Sequence, residues 1–180
     1  MTKLSTLIVA TAVATLSLLE TVSGKWSFGF CGKPELEANF DVSKYLGPWH
    51  EYARDKSILF EYGECTQAKY SPKSNGIIEV HNSQFYKGKI DEVKGTAKCN
   101  GAQCKVGFFL FRTGDYRVLD TDYENYAVVY SCVPSFLFFK TEYIWILTRS
   151  RTPAAGVITS AETVAQTKIP GYSFSNFYYP

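Results

Sequence analysis

Residues 39–54 read N-F-D-V-S-K-Y-L-G-P-W-H-E-Y-A-R, a polar lead followed by a turn signal and an alternating run. Gly47 can adopt a turn conformation that other residues avoid. Pro48 has no N–H to donate and is tolerated as the first residue of a strand. Trp49 is then the first large side chain of a predicted strand. From these residues alone, a loop leading into an ordinary edge strand is an equally good interpretation.

The residues after Trp49 alternate in character, as expected of a strand whose successive side chains point to opposite faces. This period places Glu51 and Ala53 on the face of Trp49, and Tyr52 on the other face. If the Trp49 face is buried, Glu51 needs a partner, because burying a lone carboxylate is costly. That partner is either a ligand group or a protein or water group.

Turn signals recur at regular spacing along the chain, for example at residues 72–76, 87–88 and 100–101. Such spacing is typical of an all-β barrel or sandwich. The predicted strands cover residues 49–55, 65–70, 77–85, 90–99, 104–112, 116–121, 127–133 and 142–150. Eight consecutive strands suit an antiparallel up-and-down β-barrel, which closes its edges and has room inside for about one small ligand.

The period of the apolar residues changes after the eighth predicted strand. Helical spacing relates Val157, Ile158, Ala161, Val164 and Ala165. Thr159 and Glu162 have the spacing of a capping box, and Pro170-Gly171 is a stop signal. Residues 173–179 read as a short last strand. We therefore predict one C-terminal α-helix packed outside the barrel.

The opening stretch resembles the lipocalin signature N-F-D-x-x-x-Y-x-G-x-W, which begins the first barrel strand in that family. Two further stretches match the family in the same order. They are residues 121–132, T-D-Y-E-N-Y-A-V-V-Y-S-C, and residues 145–149, W-I-L-T-R. The resemblance runs from about Cys31 to Pro180. Within that family, the chain resembles in particular the apolipoprotein D-like branch, which includes insect bilin-binding proteins and crustacean carotenoid carriers.

The resemblance implies structural roles for the signature residues, which are Gly47, Trp49, Thr121, Asp122, Tyr123 and Arg149. In lipocalins the Arg at this position crosses the closed end of the barrel and stacks on the signature Trp. Such a guanidinium covers a large aromatic ring, and its N–H groups cap carbonyl oxygens. The alternative is a solvent-exposed arginine at a strand end.

Four residues are predicted to line a ligand cavity: Trp145, Tyr70, Asn82 and Glu51. Strand alternation places Trp145 on the face of Arg149 but nearer the open end. Tyr70 and Asn82 match positions that line the pocket in apolipoprotein D-like relatives. The alternative is that these side chains fill the barrel core and contact no ligand.

The chain has five cysteines, so if the others form disulfides in an exported protein, one cysteine has no partner within the chain. The resemblance implies a disulfide between Cys31 and Cys132. Cys99 and Cys104 flank a four-residue turn and could pair across it. Cys65 matches a family cysteine whose usual partner lies near the C-terminus, where this chain has none. Cys65 is therefore expected to be a free thiol.

Residues 1–24 have the pattern of a secretory signal peptide, with Lys3 at the positive end and an apolar run over residues 4–19. Val22-Ser23-Gly24 is a plausible cleavage site, so the lipocalin domain is expected to span residues 25–180 and to be secreted. A retained anchor is the alternative. The net charge of +2, with scattered signs, predicts no nucleic-acid partner.

No enzyme signature occurs in the sequence, whether a phosphate loop, H-E-x-x-H or G-x-S-x-G. His50 and His81 have no second ligand at metal spacing, so neither a metal site nor a catalytic site is predicted. The resemblance implies a non-enzymatic carrier of a small hydrophobic ligand, such as a bilin, retinoid, steroid, fatty acid or carotenoid. No cofactor is required, although a bilin or carotenoid would be a bound chromophore.

Two other functions fit the same resemblance. One is a pigment-assembly or partner-binding lipocalin, because the apolar loop residues Phe136, Leu137, Phe138 and Phe139 suit a membrane or protein contact. The other is an isomerase, since one lipocalin branch isomerises a prostaglandin with a cysteine thiolate on its second strand. Cys65 is on that strand, but if Tyr70 faces inward, alternation turns Cys65 outward.

Overall fold

The computed structural model describes residues 26–109, 112–135, 138–172 and 174–180. The predicted leader and loop residues Phe136 and Leu137 lie outside these ranges. The described strands are β1 (Trp26–Phe28), β2 (Gly47–Asp55), β3 (Glu64–Pro72), β4 (Ile77–Tyr86), β5 (Lys89–Asn100), β6 (Gln103–Phe109), β7 (Arg112–Thr121), β8 (Tyr126–Pro134), β9 (Phe139–Thr148) and β10 (Phe177–Tyr178). The helices are α1 (Val42–Tyr45) and α2 (Ala155–Lys168).

Strands β2 to β9 form a closed antiparallel barrel, in which each strand pairs with the next and β9 pairs back with β2. The predicted eight-stranded up-and-down barrel is therefore confirmed. Strand β7 begins at Arg112, earlier than predicted, because the turn-like residues Gly114 and Asp115 pair with β6 beside a register irregularity. Glycine in a strand often marks such a site.

Two clusters of buried side chains stabilise the fold. One fills the barrel interior and includes Trp49, Tyr70 and Val129. The other lies between the barrel wall and α2, where Ala161 and Ala165 are fully buried against the outer faces of the strands. The predicted external C-terminal helix is thus confirmed. No helix among the described residues is both long and apolar enough to cross a membrane.

The predicted capping box is wrong. Helix α2 begins at Ala155 with Ala154 as its N-cap, and that alanine has no side-chain group to cap the helix. Thr159 consequently lies inside the helix, where its hydroxyl donates to the carbonyl oxygen of Ala155 at 3.1 Å. Glu162 also lies within the helix rather than in its first turn. A threonine and a glutamate three residues apart can also lie within a helix, so this spacing alone does not mark where a helix begins.

A β-bulge in β2 overturns one predicted orientation. Glu51 pairs with Leu147 and Ala53 with Ile146, so Tyr52 is an extra residue that has no opposite partner on β9. Beyond the bulge the alternation is reversed. Ala53 therefore faces the cluster under α2 rather than the barrel interior, and Arg54 faces inward beside Trp145.

One end of the barrel is closed and the other is open, and consecutive hairpins alternate between the two ends. The closed end lies where β2 begins, next to α1. The described connections at the open end are residues 56–63, the β4–β5 turn at 87–88, and parts of the two loops after β6 and β8. The short strands β1 and β10 extend the sheet by pairing with β9 and β2.

Candidate functional site

Arg149 and Trp49 close one end of the barrel. The guanidinium carbon of Arg149 lies 3.8 Å from the centre of the Trp49 ring. The arginine donates to the carbonyl oxygens of Tyr123 at 3.0 Å and of Pro48 and Lys44 at 2.9 Å each. The indole N–H of Trp49 donates to the carbonyl oxygen of Tyr45 at 2.8 Å. The pair joins α1, β2 and β9 at this end.

The remaining signature residues build the turn that Arg149 contacts. The Asp122 carboxylate accepts from the backbone N–H of Asn125 at 2.8 Å, and the Thr121 hydroxyl accepts from that of Tyr123 at 3.0 Å. Gly47 has a φ of +96°, and a Cβ there would lie 3.3 Å from Nη1 of Arg149. Glycine is the one residue that tolerates both conditions.

Three tyrosine hydroxyls form the floor of the interior. Tyr116 exchanges hydrogen bonds with Tyr45 at 2.8 Å and with Tyr70 at 2.9 Å. Burial raises the pKa of Tyr70 to about 12 and also raises the pKa of Tyr45 and of Tyr116 well above the ordinary tyrosine value, so all three stay protonated. Three hydroxyl protons and two hydrogen bonds leave one O–H without an acceptor among the described residues.

These floor tyrosines border a small cavity. Its other lining residues include Phe40, Ile78, Val106 and the cysteines Cys99 and Cys104. The cavity volume is about 20 Å³, which holds about one water molecule.

Two polar residues on β3 and β4 face the interior above the floor. Asn82 is in the same alternation as Ile78 and Val80, and Thr66 in that of Ala68 and Tyr70. The oxygens Oδ1 of Asn82 and Oγ1 of Thr66 are buried, and neither has a hydrogen-bond partner among the described residues. Both are positioned to bind a polar group inside the barrel.

Four residues form a mouth cluster near the open end: Glu51, Arg54, Glu61 and Trp145. Arg54 makes a buried ion pair with Glu51. Glu61, from the 56–63 loop, accepts from the indole N–H of Trp145 at 2.7 Å and is hydrogen-bonded to Glu51. The preceding residue, Phe60, contacts the ring of Tyr143. The loop is therefore fastened across the mouth by two consecutive residues.

The two carboxyl groups of the mouth cluster titrate above their ordinary range. Burial, together with the charge of Glu61, raises the pKa of Glu51 to about 8, although Arg54 opposes the shift. Burial also raises the pKa of Glu61. One arginine cannot neutralise two buried carboxylates that are hydrogen-bonded to each other, so one of them retains a proton at neutral pH.

The cysteines form two disulfides. Cys31 is bonded to Cys132, which ties the N-terminal segment to β8. Cys99 is bonded to Cys104 across the β5–β6 hairpin. Cys65 is unpaired and exposed on β3.

The structure places all four predicted lining residues on the inner side of the barrel, but not in one group. Tyr70 belongs to the floor, Glu51 and Trp145 to the mouth cluster, and Asn82 to the wall between them. The protein partner of Glu51 is Arg54.

Sequence reasoning missed five further interior residues, namely Tyr45, Arg54, Glu61, Thr66 and Tyr116. Alternation with Tyr70 and Val118 would have identified Thr66 and Tyr116. Arg54 was hidden by the bulge, and nothing in the sequence indicates that Glu61 turns inward from its loop.

Comparison with known proteins agrees with this geometry. A family model described as a lipocalin-like domain matches residues 40–180. Apolipoprotein D of Rattus norvegicus is 43% identical over 146 residues, covering 77% of this chain and 77% of that protein. The outer membrane lipoprotein Blc of Vibrio cholerae is 34% identical over 140 residues, covering 72% of this chain and 78% of that protein.

Solved structures show the same fold. Insecticyanin from the tobacco hornworm Manduca sexta superposes with a TM-score of 0.78 and 25% identity, over 87% of this chain and 88% of that one. Lobster apocrustacyanin A1 has a TM-score of 0.77 at 18% identity, over 88% and 92% of the two chains. The chain therefore belongs to the lipocalin family, whose members bind and carry small hydrophobic molecules.

Proposed function

We propose that this lipocalin binds one small hydrophobic molecule between the floor tyrosines and the mouth cluster. The observation that carries the proposal is the pair of buried oxygens on Thr66 and Asn82, which have no partner among the described residues. Leaving a buried polar atom without a hydrogen bond costs about 1–3 kcal/mol. A ligand with one or two polar groups would satisfy these atoms, while its apolar body contacts the aromatic wall.

The lining favours a flat or ring-shaped ligand. Tyr70 and Trp145 offer aromatic faces at opposite ends of the interior, and conjugated or fused-ring molecules gain both stacking and buried area there. Bilins, retinoids, steroids and carotenoids fit this description better than a flexible fatty acid. A bilin or carotenoid would be a bound chromophore.

We propose binding rather than catalysis as the role of the barrel. Cys65, the residue on which an isomerase mechanism would depend, is exposed on β3. An exposed thiol is not enclosed with a ligand that is held against the buried ring of Tyr70.

We further propose that the protein is secreted after removal of residues 1–24, leaving residues 25–180 as the carrier. Two disulfides support this, because disulfides form and persist in oxidising compartments. Sequencing the N-terminus of the protein recovered from culture medium tests the proposal. A start near Lys25 is expected, and retention of the intact leader in the cell would contradict it.

Native mass spectrometry tests the carrier function. The purified protein is incubated with a bilin, a retinoid, a steroid, a carotenoid and a fatty acid in separate samples. We expect at least one of the flat ligands to add a single ligand mass per chain, with low-micromolar or tighter affinity. Absence of saturable binding across all five classes would end the carrier interpretation.

A second role is favoured by an aromatic patch beside the open end, formed by Phe28, Phe30, Phe138 and Phe139. Phe28 and Phe30 are 78% and 76% exposed, and both rings contact Phe138. An exposed group of phenylalanines is unusual on a soluble protein and suits a lipid surface from which an apolar ligand could enter.

Co-sedimentation with phosphatidylcholine vesicles tests the second role. Wild type is expected to sediment with the vesicles, and a Phe28→Ser/Phe138→Ser variant to remain in solution. If both stay in solution and wild type instead elutes at a multiple of its mass, the patch binds a protein partner.

A further inference from the structure

The mouth cluster contains two acidic side chains, Glu51 and Glu61, and one basic side chain, Arg54. The guanidinium of Arg54 already has partners within the protein. Arg54 is paired with Glu51, and its other Nη lies 3.5 Å from the carbonyl oxygen of Gly63. The guanidinium also stacks on Tyr178, whose ring centre is 4.6 Å away. Arg54 is only 5% exposed. It is therefore not free to receive an anionic ligand.

The cluster has spare acceptors rather than spare donors. Four carboxyl oxygens face two committed donor groups, the guanidinium of Arg54 and the indole N–H of Trp145. Glu51 and Glu61 are hydrogen-bonded to each other, which requires a shared proton. A hydroxyl, amine or pyrrole N–H on a ligand would find an acceptor here. A ligand carboxylate would be a third acid beside a single cation.

A second, independent observation at Thr66 supports placing the polar end of a ligand near this cluster. The register of β2 and β3 pairs Trp49 with Ala68 and His50 with Gln67. Glu51 and Thr66 are the next residues along each strand beyond this last pair. Thr66 is 6% exposed, and its hydroxyl oxygen has no partner among the described residues. A buried, unsatisfied hydroxyl and the buried Glu51 thus both follow the last paired residues of the two neighbouring strands.

We propose that the mouth cluster binds the polar end of the ligand and selects a hydrogen-bond donor over a carboxylate. This inference rests on the carrier function proposed above and specifies its ligand class. A ligand lying along the barrel has its apolar end at the floor tyrosines and its donor group at Glu51 and Glu61. Thr66 completes the site as a third oxygen. Molecules that end in a carboxylate are excluded by repulsion rather than by size.

Retinol and retinoic acid test the proposal, because they share one ring and one polyene chain and differ only in the terminal group. Both are titrated into wild type at neutral pH, and binding is followed by protein fluorescence quenching. We expect retinol to bind at least tenfold more tightly than retinoic acid. In Glu61→Gln, which keeps an acceptor for Trp145 but replaces one of the two acids by an amide that can also donate to a carboxylate, the preference should fall to threefold or less.

Glu64→Gln is the matched control, because Glu64 is an exposed glutamate on β3 outside the cluster. It should keep the wild-type preference. Equal affinities for the two ligands in wild type, or a preference that Glu61→Gln leaves unchanged, would overturn the selection and leave the carrier function intact. If wild type binds another flat ligand but neither retinoid, the proposed orientation, with the apolar end at the floor tyrosines and the donor group at the mouth cluster, is overturned. Binding of nothing in any class would overturn both proposals.

Discussion

Arg149 is the residue on which the closed end depends most. Its side chain covers Trp49, which is fully buried, and donates to three carbonyl oxygens from α1, β2 and the β7–β8 turn. No single neighbour could replace these contacts, because the planar guanidinium serves a ring face and several acceptors at once.

Arg149→Ala is expected to lower the free energy of unfolding by about 1–3 kcal/mol, since it uncovers an aromatic ring and leaves carbonyl oxygens without donors. Urea denaturation monitored by circular dichroism measures the change. Arg151→Ala is the control, because Arg151 is exposed and makes one long hydrogen bond, at 3.4 Å to Gln67. An Arg149→Ala midpoint equal to that of wild type would refute the structural role.

Glu51 makes a pH-dependent contribution to stability. Its pKa is about 8 in the folded chain and near the ordinary 4.5 when unfolded, so unfolding releases a proton between these values. The contribution is fully present below pH 4.5 and is lost as the pH rises to about 8. We expect the denaturation midpoint of wild type to fall over this window more steeply than that of Glu51→Gln. Parallel pH profiles would contradict the assignment.

The residue-scale predictions succeeded where the determining features were local. The Trp49–Arg149 stack could be predicted because a short motif marks each partner and the resemblance to lipocalins implies the contact between them. Arg54 could not, since one extra residue at Tyr52 reverses the alternation and the sequence does not indicate a bulge there. Glu61 was missed because its orientation follows from tertiary contacts of the 56–63 loop with Trp145.

At the scale of elements, α2 is held by packing more than by its ends. Ala161 and Ala165 are fully buried against the barrel, whereas the N-terminus has no side-chain cap. Ala154 already has the extended backbone of an N-cap, with φ −64° and ψ 146°. The helix could be predicted from its apolar period, but its start could not, because this N-cap is an alanine.

Ala154→Asp is therefore expected to stabilise the protein by about 0.5–2 kcal/mol, because the new carboxylate can accept from free backbone N–H groups and favours the positive end of the helix dipole. The thermal midpoint is the measurement. Thr159→Asp, which places the same charge inside the helix, should give no stabilisation. If the two variants behave alike, the N-cap is not at Ala154.

At the scale of the molecule, barrel closure creates the candidate site. Tyr70, Asn82 and Trp145 come from β3, β4 and β9, and the pairing of β9 with β2 brings them around one interior. The barrel was predictable because turn residues recur at regular spacing in the sequence and the stretches between them alternate in character. The mouth cluster was not, because Glu61 reaches it through the packing of the 56–63 loop and Arg54 through the bulge in β2.

The affinity of Trp145→Ala for a flat hydrophobic ligand tests the central claim most directly. A ligand held inside the barrel should lose at least tenfold in affinity, or about 1.4 kcal/mol, when this ring is removed. Tyr52→Ala, which removes a ring from the outer face of β2 where Tyr52 contacts Tyr179, should bind like wild type. Both variants are compared by titration, with circular dichroism to verify folding. Unchanged affinity in a folded Trp145→Ala protein, or equal losses in both variants, would contradict binding inside the barrel.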